Sequence, residues 1–261
     1  MTFSRIVCLT EETVETLYLL GRQDRIAGVT GYAVRPARVR REKPRVGGFT
    51  TADVNRIKDL HPDLVLTFSD LQADVVAQLI RDGIEVHAFN HRSIEGIFRM
   101  IRTCGALADA APQADRLIAA YRDRLARIAA TPRPSCPRVW FEEWDNPLIS
   151  GIGWVSELVA IAGGQDIFPD LAAESLARNR IVHPDRVAAE RPDVILASWC
   201  GRRVVPGHIA ARPGWQDIPA IRDGRIHEIK SPLILQPGPA ALTDGLDAIQ
   251  AALWGQSSVI S

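Results

Sequence analysis

Short apolar runs alternate with amphipathic stretches along this chain, and the alternation predicts its elements. Arg5–Leu9 reads as a strand, followed by a helix that Thr10 can cap. Glu11 and Glu12 occupy its first turn, Val14, Leu17, Tyr18 and Leu20 form its apolar face, and Gly21 ends it. Ile26–Thr30 is a second strand. A polar stretch from Gly31 to Thr51 interrupts the pattern, and then Asp53 caps a short helix over 54–60. Leu64–Phe68 is a strand, 71–81 a helix and Glu85–Phe89 another strand. Strands alternating with helices at this spacing predict βαβ units and mainly parallel sheets, an α/β class.

Ser93 opens a helix that ends before Pro112, and a further helix runs from Pro112 to Ala129. Leu117, Ile118, Tyr121, Leu125 and Ile128 share one of its faces. At 1.5 Å per residue it spans about 27 Å, enough to join two lobes. The proline-rich segment 131–137 then stops all helical pattern. The divisions that follow are an N-terminal α/β lobe (1–111), an inter-lobe helix and linker (112–134) and a C-terminal α/β lobe (135–261). In the last, strands are predicted at 138–142, 193–197 and 224–229. Helices are predicted at 154–162, at 185–190 and from Pro239 to Trp254, with proline at a first helical position.

The halves echo each other. Residues 55–66 lie over 185–196 at an offset of 130, each with a short helix, a Pro-Asp pair (Pro62-Asp63, Pro192-Asp193) and an apolar strand. A second echo relates 14–24 to 155–166. Two βα lobes predict one cleft outside the carboxyl ends of their strands, where α/β sheets bind ligands.

Composition narrows the function. Lysine plus arginine number 31, as do aspartate plus glutamate, so there is no basic excess for coating nucleic acid. No apolar run reaches the ~18 residues of a membrane span. The start, Met1–Arg5, has neither a basic region nor a long apolar core of a leader. A cytoplasmic location is therefore expected, or a periplasmic one if a leader has been removed. Cys8, Cys104, Cys136 and Cys200 form no C-x-x-C pair and are expected to be reduced, mostly buried thiols.

Phe49, Phe68, Trp144, Trp199 and Trp215 fall at or just past strand ends, where flat side chains can cover a broad apolar ligand or else fill the core. Glu142-Glu143 beside Trp144 leaves three roles open: acid–base or metal chemistry, contact with a ligand, and helix capping. Trp199 precedes the polar run Cys200–Arg203, which places Arg203 at the same strand exit. The six histidines (61, 87, 91, 183, 208, 227) show no metal-ligand spacing, and His91 and His208, with Cys200, are the candidates for a single axial ligand. Gly151-Ile152-Gly153 lacks the third glycine of a dinucleotide fingerprint, since Ser156 stands there, and no Walker A or G-x-S-x-G sequence occurs. Between 35 and 45 six basic residues meet one acid, Glu42. That is a solvated face or a surface for an anionic tail or acidic partner.

Several of these segments resemble one family: Arg5–Gly21, Val46-Gly47-Gly48-Phe49, the Pro-Asp-Leu-Val-Leu strand, Ala162–Phe168 and the turn Arg212–Trp215. It is the helical-backbone substrate-binding proteins of metal-chelate transporters, with the cobalamin-binding branch most similar. The resemblance covers nearly the whole chain. It implies the class III periplasmic-binding-protein fold, two Rossmann-like lobes joined by a long rigid helix. It also implies a non-enzymatic monomer with no cofactor of its own that holds cobalamin, haem or a ferric siderophore between its lobes. Phe49 and Phe68 match positions where cobalamin binders often place aromatics. The expected ligand contacts are Phe49, Phe68, Glu143, Trp144, Trp199, Arg203 and Trp215, with Phe68 and Trp199 flanking one ligand from opposite lobes. Asp74 matches an acidic residue that docks on arginines of an ABC transporter permease. The equivalent stretch of the second half, 199–203, is basic and departs from that pattern. A chelatase-like enzyme is the competing class, and it needs a histidine–carboxylate metal site that this spacing does not supply.

Overall fold

The computed structural model describes residues 3–255. Met1 and Thr2 of the expected leader-free start, and the last six residues of the expected C-terminal lobe, lie outside them. The chain divides into two compact units. The first holds residues 1–91 and 95–121, the second 92–94 and 122–261.

The first unit contains β1 (Ile6–Cys8), α1 (Glu11–Leu19), β2 (Ile26–Val29), α2 (Val39–Glu42), α3 (Val54–Asp59), β3 (Leu64–Phe68), α4 (Ala73–Arg81), β4 (Val86–Phe89) and nearly all of α5 (Ile94–Leu107). Its sheet is parallel throughout, in the order β2-β1-β3-β4. All five residues of β3 are buried, as a strand covered on both faces requires. Val7, Leu9, Val46, Ile57, Val65 and Leu79 pack one of its cores. The single helix predicted from Pro112 is α6 (Ala111–Ala129), and the division between units falls within it, at Tyr121/Arg122.

The second unit contains β5 (Arg138–Asp145), β6 (Leu148–Ser150), α7 (Gly153–Ile161), β7 (Gln165–Asp166), α8 (Pro169–Ala172), α9 (Pro184–Glu190), β8 (Val194–Ala197), α10 (Pro206–Ala210), α11 (Pro219–Arg222), β9 (Ile226–Glu228), α12 (Ser231–Ile234) and α13 (Leu246–Trp254). Its order is β6-β5-β8-β9, with β7 also against β5. Among these strands only the β5/β6 pair is antiparallel. β5 is therefore longer than the predicted 138–142, because pairing with β6 carries it to Asp145. Gly151 and Gly153 serve packing: a Cβ on Gly153 would come within 2.1 Å of the Arg92 carbonyl oxygen.

The sequence repeat is a repeated clamp. In the first unit Asp63 accepts from the backbone N–H groups of Ser4 (2.7 Å) and Arg5 (2.9 Å), and its own N–H donates to the Arg5 carbonyl (3.0 Å). In the second, Asp193 accepts from the Arg138 N–H (2.8 Å) and donates to its carbonyl (2.8 Å). Arg5 Nε reaches the Leu60 carbonyl at 3.1 Å, and Arg138 Nε reaches that of Glu190 at 3.1 Å. The turns between match too, with His61 at φ 45° and Arg191 at φ 48°. Each Pro-Asp thus ties the end of one βα unit to the first strand of its sheet, fixing the register that sets where the strands exit.

Candidate functional site

Two strand exits and one loop of the first unit are organised by a side chain the sequence did not single out. Gln72, fully buried, accepts from the Phe68 N–H through Oε1 (2.9 Å). Its Nε2 donates to the carbonyls of Leu9 (3.2 Å) and Phe49 (2.7 Å). The ends of β1 and β3 and the loop carrying Phe49 are thereby held together. Gly47 makes that loop possible: at φ 110°, a Cβ would lie 2.6 Å from the Thr51 carbonyl oxygen. Phe49 is half-buried. Phe68 is largely buried, with His91 edge-on at 5.3 Å. Tyr32, which the sequence pattern left in a loop, and Leu71, the first residue of the predicted 71–81 helix, are exposed apolar side chains of this unit. Asp74 is exposed in the first turn of α4.

Acids crowd the start of α1. Burial pushes Glu12 up to about 7 against the Thr10 hydroxyl, with Glu15 adding to the rise. Burial, reinforced by the charges of Glu12 and Glu15, pushes Glu11 up to about 8. Part of the arginine run is structural. Arg35 pairs with Glu15 at 2.8 Å, and Arg38 lies over Tyr18, whose hydroxyl donates to Glu42. Arg40, Arg41 and Arg45 are exposed.

In the second unit, strand alternation separates the two adjacent glutamates, and each has its own arginine. Glu142 is fully buried and takes a bidentate pair from Arg212, at 2.5 and 2.8 Å. It also accepts the indole N–H groups of Trp140 (3.1 Å) and Trp199 (3.2 Å). Glu143 takes the buried Arg180 guanidinium at 2.7 and 2.9 Å. Both oxygens of Glu143, a residue expected to contact ligand, are engaged by Arg180 within the unit.

Two tryptophans expected at an opening lie in the core. Trp215 has no exposed surface, and Arg212 lies over its ring at 4.7 Å. A ring without free surface cannot cover a ligand. Trp199 is 3% exposed and packs in the same core, held by Glu142. It also borders a pocket. Trp144 is half-buried. Arg202, which the sequence gave no more weight than its neighbour, joins the two: it lies 5.2 Å from the Trp144 ring and 5.6 Å from that of Trp199, and pairs with Asp145 at 3.1 Å.

Two pockets adjoin this stack. One, about 600 Å³, is bounded by the β5/β6 turn, residues 181–185 leading into α9, and Arg212-Pro213. Pro147, Leu148, Ile181, Val182 and Pro213 make much of its wall apolar. The other, about 240 Å³, is bounded by Trp199, the loop 201–203 and residues 228–232. Arg203 lines it and is exposed. Asp145 lines the larger pocket and Arg202 the smaller, so their ion pair links the two.

His208 is exposed on α10, and of the cysteines only Cys8 and Cys104 are buried. Cys136 and Cys200 are exposed, contrary to the mostly buried thiols expected from the usual habit of free cysteine. Burial pushes Cys8 up to about 12, which makes it inert. Among the described residues no group of three histidine, cysteine or acidic side chains converges as a metal site.

Comparison with known proteins matches the chain and its fold to a family. A cobalamin-binding protein of Halobacterium salinarum is 26% identical over 243 residues, covering 90% of this chain. The chain spans about 65% of that relative's length. The periplasmic vitamin B12 binding protein BtuF of Vibrio cholerae has a similar structure, with a TM-score of 0.75 at 20% identity, covering 96% of both chains. So has the periplasmic haem-binding protein RhuT of a Roseiflexus species, with a TM-score of 0.79 at 24% identity, covering 95% of this chain and 98% of the other. These likenesses fix the fold as the two-lobed one that the sequence implied. The profile described as periplasmic binding protein matches residues 6–233, and the chain therefore belongs to the periplasmic binding protein family, whose members bind substrates rather than transform them.

Proposed function

We propose that the chain binds a flat metal chelate, a corrinoid such as cobalamin, as the substrate-binding component of an ABC-type uptake system. The observation that carries the reading is the Trp144–Arg202–Trp199 stack, joined through the Arg202–Asp145 ion pair to a pocket of about 600 Å³ with much of its wall apolar. A flat ligand laid on Trp144 buries apolar area on a rigid side chain at small entropy cost. In the first unit, Tyr32, Phe49 and Leu71 offer the same kind of surface. The name of the Halobacterium relative supports cobalamin as the chelate. Asp74, exposed on α4, is the residue we assign to docking on a permease.

The test is a spectral titration of the purified chain with cobalamin, cobinamide, haem and a ferric siderophore. Saturable binding of the corrinoids, tighter than that of the other two, is expected. Tighter binding of haem or of the siderophore would move the assignment within the family, and binding of none would overturn it.

A further inference from the structure

The smaller pocket of the second unit differs in chemistry from the larger. Its volume of about 240 Å³ falls below the ~300 Å³ at which drug-sized ligands are enclosed. It suits a substituent rather than a whole chelate. Arg202, Arg203 and Lys230 line it, against one carboxylate, Glu228.

That carboxylate is already engaged. Glu228 accepts from Lys230 Nζ at 2.5 Å and from the Val204 N–H at 3.1 Å. Burial pulls its pKa up, but those bonds and the charges of Lys230 and Arg203 outweigh it and hold it below the usual range. Arg202 is committed to Asp145 and to the two indoles. Arg203 has no carboxylate within ion-pair distance among the described residues, and its side chain borders the pocket. The Lys230 side chain is 62% exposed, so its ammonium can serve a second acceptor. Arginine presents several donors in a planar fork matched to carboxylate and phosphate, and an ammonium has three donors.

We infer that the pocket formed by Arg203, Lys230 and Ser231 is an anion subsite that recognises a carboxylate or phosphate group on the periphery of the bound chelate. The inference rests on the chelate-binding reading, because the pocket lies next to the Trp144–Arg202–Trp199 stack. It makes the site selective among chelates of similar size by their peripheral charge, with Arg203 and Lys230 as specificity-determining residues. Since both cations are solvent-accessible, their contribution falls as salt rises.

The experiment compares the whole chain with its Arg203→Gln/Lys230→Gln variant against two pairs of probes. Haem and its dimethyl ester differ in carboxylates, and cobalamin and cobinamide differ in the nucleotide phosphate. A third probe, inorganic phosphate, is followed by ³¹P line broadening. The variant is expected to lose roughly tenfold in affinity for the anionic member of one pair, as for the loss of a charge-assisted hydrogen bond. It should change little for the member that lacks the anionic group and lose the broadening by phosphate. The haem pair responding identifies the anion as a carboxylate, the corrinoid pair as a phosphate. Equal losses for both members of each pair, or no loss in any, would overturn the subsite. If no chelate binds the parent chain, the functional reading fails by itself, and the subsite then stands or falls on whether phosphate broadening is present in the parent and absent in the variant.

Discussion

Arg212→Leu tests the buried network that holds Trp199. The substitution removes both guanidinium bonds from Glu142 and leaves a fully buried carboxylate with only two indole N–H donors. Breaking one partner out of a buried ion pair costs about 3–5 kcal/mol, because the remaining charge stays out of water. The stacking of Arg212 on Trp215 at 4.7 Å is lost as well. With roughly 2–4 °C per kcal/mol for a chain of this size, the melting temperature should fall by about 10 °C. The double variant Glu142→Gln/Arg212→Leu should regain about 2 kcal/mol, since a neutral amide keeps an acceptor for an indole and is cheaper to bury than an unpaired charge. Thermal and urea unfolding by circular dichroism measure both. A single-variant loss below about 1 kcal/mol, or a double variant less stable than Arg212→Leu, would refute the idea that the ion pair organises this core.

Three further outcomes follow from other parts of the molecule. Gln72→Leu should cost about 2–3 kcal/mol and expose the Phe68 amide to hydrogen exchange, because three bonds to the strand exits are lost at once; unchanged protection would show that Gln72 does not hold them. Glu11 and Glu12 have folded pKa values raised to about 8 and about 7, so the folded state binds more protons than the unfolded one between about pH 4.5 and 8. Stability should therefore be greatest below that window and fall as pH rises through it, and Glu12→Gln should flatten the melting profile; a parallel profile would contradict this. Asp63→Ala and Asp193→Ala each remove one clamp, at about 1–2 kcal/mol apiece, and their effects should add because they share no partners; strong non-additivity in urea unfolding would count against separate clamps.

Much of the fold was legible because its signals are local. The strands of the first unit, the helix from Pro112 and the Pro-Asp repeat all follow from periodicity, proline and capping residues. Asp53, for example, accepts from the Arg56 N–H at 3.1 Å as an N-cap should. The β5/β6 hairpin escaped because its pairing is set by contact across a turn and not by alternation alone. The site was less legible. Aromatic residues at strand ends mark a region, but whether a ring faces solvent depends on partners far away in sequence. Trp199 and Trp215 turn inward because Glu142 and Arg212 receive them, and Trp144 does not. Gln72 and Arg202 carry no motif at all. Their importance lies in what a buried amide or a stacked guanidinium touches, although the run Cys200–Arg203 did mark the right loop.

The central claim, that a corrinoid is held on Trp144, which Arg202 ties to the buried Trp199, is tested most directly by calorimetric titration of cobalamin into the parent chain and Trp144→Ala. Loss of a contact anchor costs on the order of 2 kcal/mol, so the account predicts saturable binding by the parent and roughly thirtyfold weaker binding by the variant. The variant's melting temperature should change little, because Trp144 is only half-buried. Equal affinity in both proteins, or no binding of cobalamin by either, would contradict it.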